Sequence, residues 1–355
     1  MLRLTRYVAK TVLMTTTIVT LSIIAIFIIF TFIAQMGDVG TGNYTTLSAF
    51  IYVIYEIPYN LYLILPMGCL LGSLMGLGIL ANNSELIVMR ASGLSIFQIS
   101  KGVIVASVLL MLFCLLLGAW FGPKYNKEAD IYKALASGDS SAALSGNQSL
   151  WFKSGNDFIH VNGSFAQHEL INITRYNIQN SQVKSITLAD NAEFEKSSWK
   201  VNNITTTDLS FDQVKTTKQN KAIWKNLIPP KLVNVIGVNP DYLNLIALWE
   251  YISFKKQNLE DTNLLELQFW QKIFQPISVI ILMLMAVPFV FGPMRSSAMG
   301  LKILAGLFLG FVFFIINQFF GPFSEVYNLP ALIGAASPSV IFIIVLIFLF
   351  IKMRE

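Results

Sequence analysis

Six stretches of this 355-residue chain contain no Asp, Glu, Lys or Arg, and each is long enough to cross a bilayer. They lie within Thr11–Gly37, Ile57–Ser84, Gly102–Pro123, Ile273–Met294, Ile303–Ser324 and Val326–Ile351. A spanning helix needs about 20 mostly apolar residues. Lipid offers no partner to a backbone N–H or C=O, so continuous apolar runs of this length select helices. Charge is partitioned to match. Residues 124–272 hold 16 Lys/Arg and 15 Asp/Glu, whereas the 206 flanking positions hold only 9 and 5. Two nearly uncharged blocks therefore flank one water-compatible block. Only 13% of the residues are charged and 54% are hydrophobic. An average soluble domain carries about 25% charged residues, so a soluble globular enzyme and a disordered chain are both excluded. Cys69 and Cys114 fall in apolar runs, which leaves no disulfide framework or metal cluster. Thr11–Gly37 exceeds a signal-peptide core and reads as an uncleaved first span.

The short loops set an orientation. Arg3, Arg6 and Lys10 precede the first span, Arg90 and Lys101 lie between the second and third, Arg295 and Lys302 between the fourth and fifth, and Lys352 and Arg354 after the sixth. The alternate short loops, 38–56 and 321–330, contain Asp38, Glu56 and Glu325 but no Lys or Arg. The positive-inside rule predicts both termini in the cytoplasm and the charged block on the far side, which in a bacterium is the periplasm.

That block reads as β-structure from about 138 to 245. Alternation is visible in Leu150-Trp151-Phe152, Phe158-Ile159-His160-Val161, Leu170-Ile171-Asn172-Ile173 and Trp199-Lys200-Val201, with turn signals at Ser154–Asp157, Asn162–Ser164 and Asn180-Ser181. Short strands at regular spacing predict a sandwich or jellyroll. Pro229-Pro230 ends the pattern, 241–272 reads as helix leading into the fourth span, and 124–137 as a helical extension of the third. The expected organisation is 1–123 for spans one to three with a cytoplasmic helix over 82–93, 124–262 for the exported β-domain with helical connectors, and 263–355 for spans four to six. His160 and His168 read as strand-face residues, not a metal pair. Asn172-Ile173-Thr174 and Asn203-Ile204-Thr205 match an acceptor pattern for glycosylation and read as surface polarity of a strand.

Several chemistries are missing from the sequence. There is no G-x-x-x-x-G-K-[ST] loop to cradle nucleotide phosphates, no G-x-S-x-G elbow, no H-E-x-x-H helix and no zinc-spaced cluster. The spans carry no ionisable group near mid-membrane, where an ion-coupled carrier needs relays. No cofactor, metal or nucleic acid is expected, and energy for any uphill transport has to come from another polypeptide. The segment Ala81–Gly93 is the most informative loop. It carries helix-start signals at Asn82–Ser84 and a stop at Gly93. Leu86, Ile87, Val88 and Met89 are apolar in a segment facing the cytosol, as in a helix that lies at an interface or enters a partner's groove. Glu85 has two compatible readings. With Asn82 as N-cap it stands at N3 of a capping box, or it presents a carboxylate to a partner's basic side chain.

Ser84-Glu85-Leu86-Ile87-Val88-Met89-Arg90-Ala91-Ser92-Gly93 resembles the coupling helix of the paired permeases of the lipopolysaccharide transport exporter. Further stretches are similar to the G-type branch of that family: Leu150-Trp151-Phe152-Lys153 with Gly155-Asn156-Asp157-Phe158, Lys272-Ile273-Phe274-Gln275-Pro276, Phe291-Gly292-Pro293-Met294-Arg295-Ser296 and Phe320-Gly321-Pro322. The resemblance covers essentially the whole chain. It implies an α-helical membrane protein with six transmembrane helices and an inserted periplasmic all-β, jellyroll-like domain. It implies pairing with an F-type permease and a cytoplasmic ATPase dimer, extraction of lipopolysaccharide from the inner membrane, and delivery to a periplasmic jellyroll bridge, with room for a single-helix regulator. By this resemblance Glu85 contacts the ATPase, and Leu86, Val88, Met89 and Arg90 complete that contact. The family's cavity is lined by the first and fifth spans, which makes Thr31, Phe32, Gln35, Met36, Phe311, Phe314, Ile315 and Gln318 the candidates here. Some members place lysines at the outer end of span one to meet lipid phosphates. This sequence has Thr31, Gly37 and Asp38 there. Lys124, Lys127 and Lys133 are basic near the periplasmic surface, and Lys133 matches a basic position of the family.

Two other functions compete. A mechanotransmitting subunit would act on periplasmic partners without moving lipid, but usually has four spans. A membrane-anchored scaffold with a partner-binding β-domain would need no cytoplasmic docking helix.

Overall fold

The computed structural model describes residues 2–138, 150–165, 169–180, 182–195, 198–209, 214–224, 227–233, 235, 239–292, 299–327 and 329–352. His168, Arg295 and Arg354 lie outside the described residues. The chain divides into two compact units: one of Met1–Gly37, Ala49–Asn126 and Glu266–Glu355, and one of Asp38–Ser48 and Lys127–Leu265.

The first unit is helical. Helices α1 (Leu2–Gln35), α2 (Thr46–Asn82), the short α3 (Glu85–Ala91) and α4 (Ile96–Leu116) are followed by a wide π turn, Leu117–Phe121, that leads into α5 (Gly122–Ser137). Six helices among the described residues are long and apolar enough to cross a membrane, including three towards the C-terminal end. The first helix starts at Leu2, so Arg3, Arg6 and Lys10 belong to it. The core of this unit is built on α2, whose Leu70 and Leu77 are fully buried, as is Cys69. It packs with Val279, Leu282, Met283 and Met285 of a later helix in the same cluster. Thr15 Oγ1 donates to the Gly72 carbonyl at 2.8 Å, tying α1 to α2. A Cβ at Gly72 would stand 2.2 Å from Thr16 Cα, so only glycine admits this approach.

The second unit holds a six-stranded antiparallel sheet: β1 (Leu150–Ser154), β2 (Asp157–Phe165), β3 (Glu169–Gln179), β4 (Gln182–Glu195), β5 (Ser198–Asp208) and β6 (Lys215–Trp224). Each strand pairs with its predecessor, so the described strands form an up-and-down meander without a crossover between them. Leu150, Val161, Ile173 and Ala189 stand opposite one another from β1 to β4, and all four are buried. The adjacent row, Trp151–His160–Thr174–Leu188, faces the other way, with Trp151 and Leu188 exposed. This is the period-two alternation expected of a half-buried sheet. Trp199 is buried, and its indole N–H donates to the Ile228 carbonyl at 2.7 Å, closing the chain after β6 over the sheet. Asn172 and Asn203, the asparagines of the acceptor pattern, adopt left-handed backbone inside β3 and β5, with φ of 51° and 53°. Asparagine tolerates that conformation better than other side chains. Their presence here has a backbone reason.

Short connectors follow: α6 (Pro230–Val233), a 3-10 turn Pro240–Tyr242 and α7 (Leu245–Gln257). The stretch 241–272 is not one continuous helix. It breaks after Gln257 and restarts as α8 (Asn263–Phe291). Leu259, at φ 54°, marks the break. The last two helices are α9 (Met299–Val326) and α10 (Ala331–Lys352). The sixth span therefore begins at Ala331, and Val326 ends the fifth. Lys302, expected in a loop, sits inside α9 at 1% exposure.

Candidate functional site

Two candidate regions were expected: the helix 82–93 and the faces of the first and fifth spans. The former is α3, seven residues from Glu85 to Ala91. Its start differs from expectation. Asn82 is the last residue of α2, and Ser84 is the N-cap, with φ 60° and no side-chain cap hydrogen bond. Glu85 therefore stands at N1, too early to close a capping box. The capping box lies instead at the start of α4, where the Gln98 N–H donates to Ser95 Oγ at 3.2 Å and the Ser95 N–H donates to Gln98 Oε1 at 2.8 Å. The left-handed Ser84 turns the chain sharply, so that the carboxylate of Glu85 serves tertiary contacts. Asn83 Nδ2 donates to it at 3.4 Å, and the Tyr7 hydroxyl of α1 lies beside it.

The other four docking candidates split into two groups. Leu86 and Met89, at i and i+3, are 4% and 7% exposed and belong to the helical core cluster. They anchor α3 onto its own chain. Val88 is 65% exposed and Arg90 is exposed, with Ile87 beside them also exposed. A depression of about 470 Å³ adjoins this helix, lined by Leu86, Ile87 and Arg90 of α3, by Ile96 of α4 and by Val290 and Phe291 of α8. Chemically, α3 offers two apolar side chains and one cation outward, with a carboxylate already held from behind.

The cavity candidates fall on the two least buried helices of the bundle. Only 11% of the apolar window of α1 and 17% of that of α9 is buried, against 72% for α2. Thr31, Phe32 and Gln35 are half-buried and Met36 is exposed; Phe32 packs edge-on to Phe50 of α2 at 6.3 Å. On α9, Phe311, Phe314 and Ile315 are exposed, as is Gln318. The helix between them is α2: Gly68 and Gly72 approach Thr20 and Thr16 of α1, while Gly306 and Gly310 of α9 approach Leu74 and Met67. These candidates thus form two apolar flanks on either side of α2.

Lys133 lies in the second unit. Its ammonium pairs with the Asp38 carboxylate at 2.6 Å and sits 5.9 Å from the centre of the Tyr44 ring. Asp38 stands at one of the places where some members of the resembled family were expected to carry lysine, and here it pairs with Lys133, one of the three cations singled out nearby. Sequence reading also missed Tyr7 and the burial of Lys302. The partner of Tyr7 is remote in the chain, and no local pattern signals it.

A family model described as "Lipopolysaccharide export system permease LptF/LptG" matches residues 6–352. The chain belongs to the LptF/LptG family. It is 35% identical over 353 residues to the lipopolysaccharide export system permease protein LptG of Escherichia coli strain K12, covering 98% of both chains. It is 31% identical over 355 residues to the protein of that name from Haemophilus influenzae, covering 99% of both. Six apolar helices and an inserted antiparallel sheet are thus the LptF/LptG architecture in this chain.

Proposed function

We propose that this chain is one permease subunit of an ATP-driven exporter that extracts lipopolysaccharide from the bacterial inner membrane. The observation that carries the reading is its end-to-end relation to LptG proteins. The spans, 1–123 and 263–355, would hold the lipid's path, and 124–262 would receive the lipid in the periplasm and hand it to a jellyroll bridge, with both termini cytoplasmic. An F-type permease would cover the flanks of α1 and α9. Two such subunits, each offering Phe32 and Met36 on one helix and Phe311, Phe314 and Ile315 on the other, would enclose an apolar chamber that neither forms alone. Such a wall suits acyl chains, since each methylene removed from water is worth about 0.8 kcal/mol and must not be exposed in transit. Thr31, Gln35 and Gln318 would give that chamber its few polar contacts. Lys133 is a phosphate ligand only if its pair with Asp38 opens.

The subunit itself does no chemistry in this reading. A soluble ATPase dimer would grip Ile87, Val88 and Arg90, with Glu85 facing its basic side chains at the first turn. Leu86 and Met89 would pass the motion to the core of the spans, because they are packed into it. A regulator with a single membrane helix has space on the α1 or α9 flank. The test is affinity purification of the chain in mild detergent with mass spectrometry of bound protein and lipid. A second permease, an ATPase and lipopolysaccharide are expected together. Extraction of glycolipid by the chain alone in vesicles, without an ATPase, would overturn the proposal.

A further inference from the structure

A groove of about 680 Å³ runs along the outer face of the helical unit between α1 and α4. Its α1 wall repeats every four residues, Arg6, Lys10, Met14 and Ile18, and Val105 and Leu109 of α4 form the other wall. Residues spaced by four share one helix face, so the wall passes from two cations to pure hydrocarbon. From Arg6 to Ile18 the rise is roughly 18 Å at about 1.5 Å per residue. Half of a bilayer's hydrocarbon core is about 15 Å. The groove is therefore the depth of one leaflet, with its charge at the headgroup end. It is a built concavity because the helices close tightly beneath it. A Cβ on Gly102 of α4 would come within 2.7 Å of Val8 Cβ on α1. No Asp or Glu lines it, and the nearby Glu85 is engaged by Tyr7. Lys101 of α4 lines a second, adjoining groove that shares Thr5 and Val105, which adds a third cation to the same rim.

We propose that the α1–α4 groove is a binding site for an anionic phospholipid of the leaflet at which α1 begins. Arg6 and Lys10 hold the headgroup phosphate, and Met14, Ile18, Val105 and Leu109 hold an acyl chain. The site needs only that α1 and α4 span a bilayer, and it uses the N-terminal half of α1, whereas the exporter reading sets the second permease against Phe32 and Met36 at the other end. Each cation near an anionic lipid surface is worth about fivefold in affinity, so the pair is worth about 30-fold. The charge is on the lipid and the apolar wall is inside the membrane, which favours this occupant over a soluble anion.

The test places the full chain, in its purified complex, in nanodiscs of phosphatidylcholine and phosphatidylglycerol, and counts retained lipid by native mass spectrometry. The wild type should retain phosphatidylglycerol preferentially. The double variant R6Q/K10Q should lose that preference by about 30-fold, while K352Q, at the far end of the chain, should keep it. Both substituted cations are exposed, and Arg3 and Lys101 keep positive charge on the same side to hold the orientation. Leu109→Trp fills the apolar half and leaves the cations in place. It should also expel the lipid. Retention by Leu109→Trp would mean diffuse attraction to the basic rim, and unchanged preference in R6Q/K10Q would remove the site; either result overturns the proposal. Loss of a protein subunit instead of lipid from R6Q/K10Q would overturn it as well, in favour of a partner's surface.

Discussion

Glu85 accepts from Asn83 and has the Tyr7 hydroxyl beside it before any partner arrives. Its carboxylate is therefore oriented, and two substitutions separate orientation from charge. Glu85→Lys reverses the sign, and co-purification of the ATPase is expected to fall by tenfold or more, since truncating or reversing one member of a charged contact costs about 2–5 kcal/mol at an interface. Tyr7→Phe removes the hydroxyl beside that carboxylate and keeps the charge. It is expected to weaken the same co-purification less than Glu85→Lys does, while thermal stability in detergent stays unchanged. A second residue-scale expectation concerns Asp38. The Asp38–Lys133 pair is partly exposed, and such pairs are worth at most about 1 kcal/mol. Asp38→Asn should leave stability almost unchanged and remove the carboxylate from Lys133, and lipopolysaccharide retained on purification should rise by up to about fivefold. No rise would take Lys133 out of the candidate site. Such residues mark where the sequence stopped being readable. The left-handed Ser84, which shifts Glu85 from N3 to N1, and the Tyr7 contact both depend on how α1 and α3 meet. Asn82 looked like a cap because it bears the right side chain, but the preceding helix consumed it.

At the scale of single elements, propensity and pattern served better. Uncharged runs marked all six long helices because lipid tolerates few charges, but the first, second and fourth helices start well upstream of their uncharged runs, at Leu2, Thr46 and Asn263, because a helix tolerates charges beyond the lipid that the runs exclude. Strand alternation was legible at Leu150–Phe152 and Phe158–Val161 because one face of each is buried. Lys302 was misplaced because a lysine next to an apolar run looks like a loop cation, whereas α9 starts upstream of it. Packing between helices was not legible, and Gly72 is the clearest case. Gly72→Ala puts a methyl against the α1 backbone, and overpacking of that kind costs about 1–3 kcal/mol. Its melting temperature in detergent should drop, whereas Gly300→Ala, with open space at its Cβ, should match the wild type. Helix α7 carries a pH dependence. Burial first, and the Glu260 carboxylate second, push the Tyr251 phenol above its ordinary 10.0. The folded chain then keeps a proton that the unfolded chain releases. That share of stability is intact below pH 10 and is lost as pH rises beyond it. The alkaline limb of an unfolding curve should accordingly be less steep for Tyr251→Phe than for the wild type.

At the scale of the molecule, α1 and α9 carry bare apolar sides, which the proposed exporter sets against its paired permease. The exposed Phe308, Phe311, Phe314 and Phe319 of α9 make that helix an aromatic wall. A charge at Phe314 should block lipid entry to the chamber proposed between paired subunits, and crosslinking of lipid to Phe314→Asp in the assembled exporter is the check. The sheet has a different lesson. Its strands neighbour one another in the order in which they are made, so each new hairpin has its template already in place. A chain threaded across a membrane in extended form meets no long wait for a distant segment, since local pairings carry little loop-closure entropy. Such a meander can grow one rung at a time while its C-terminal helices are still being synthesised.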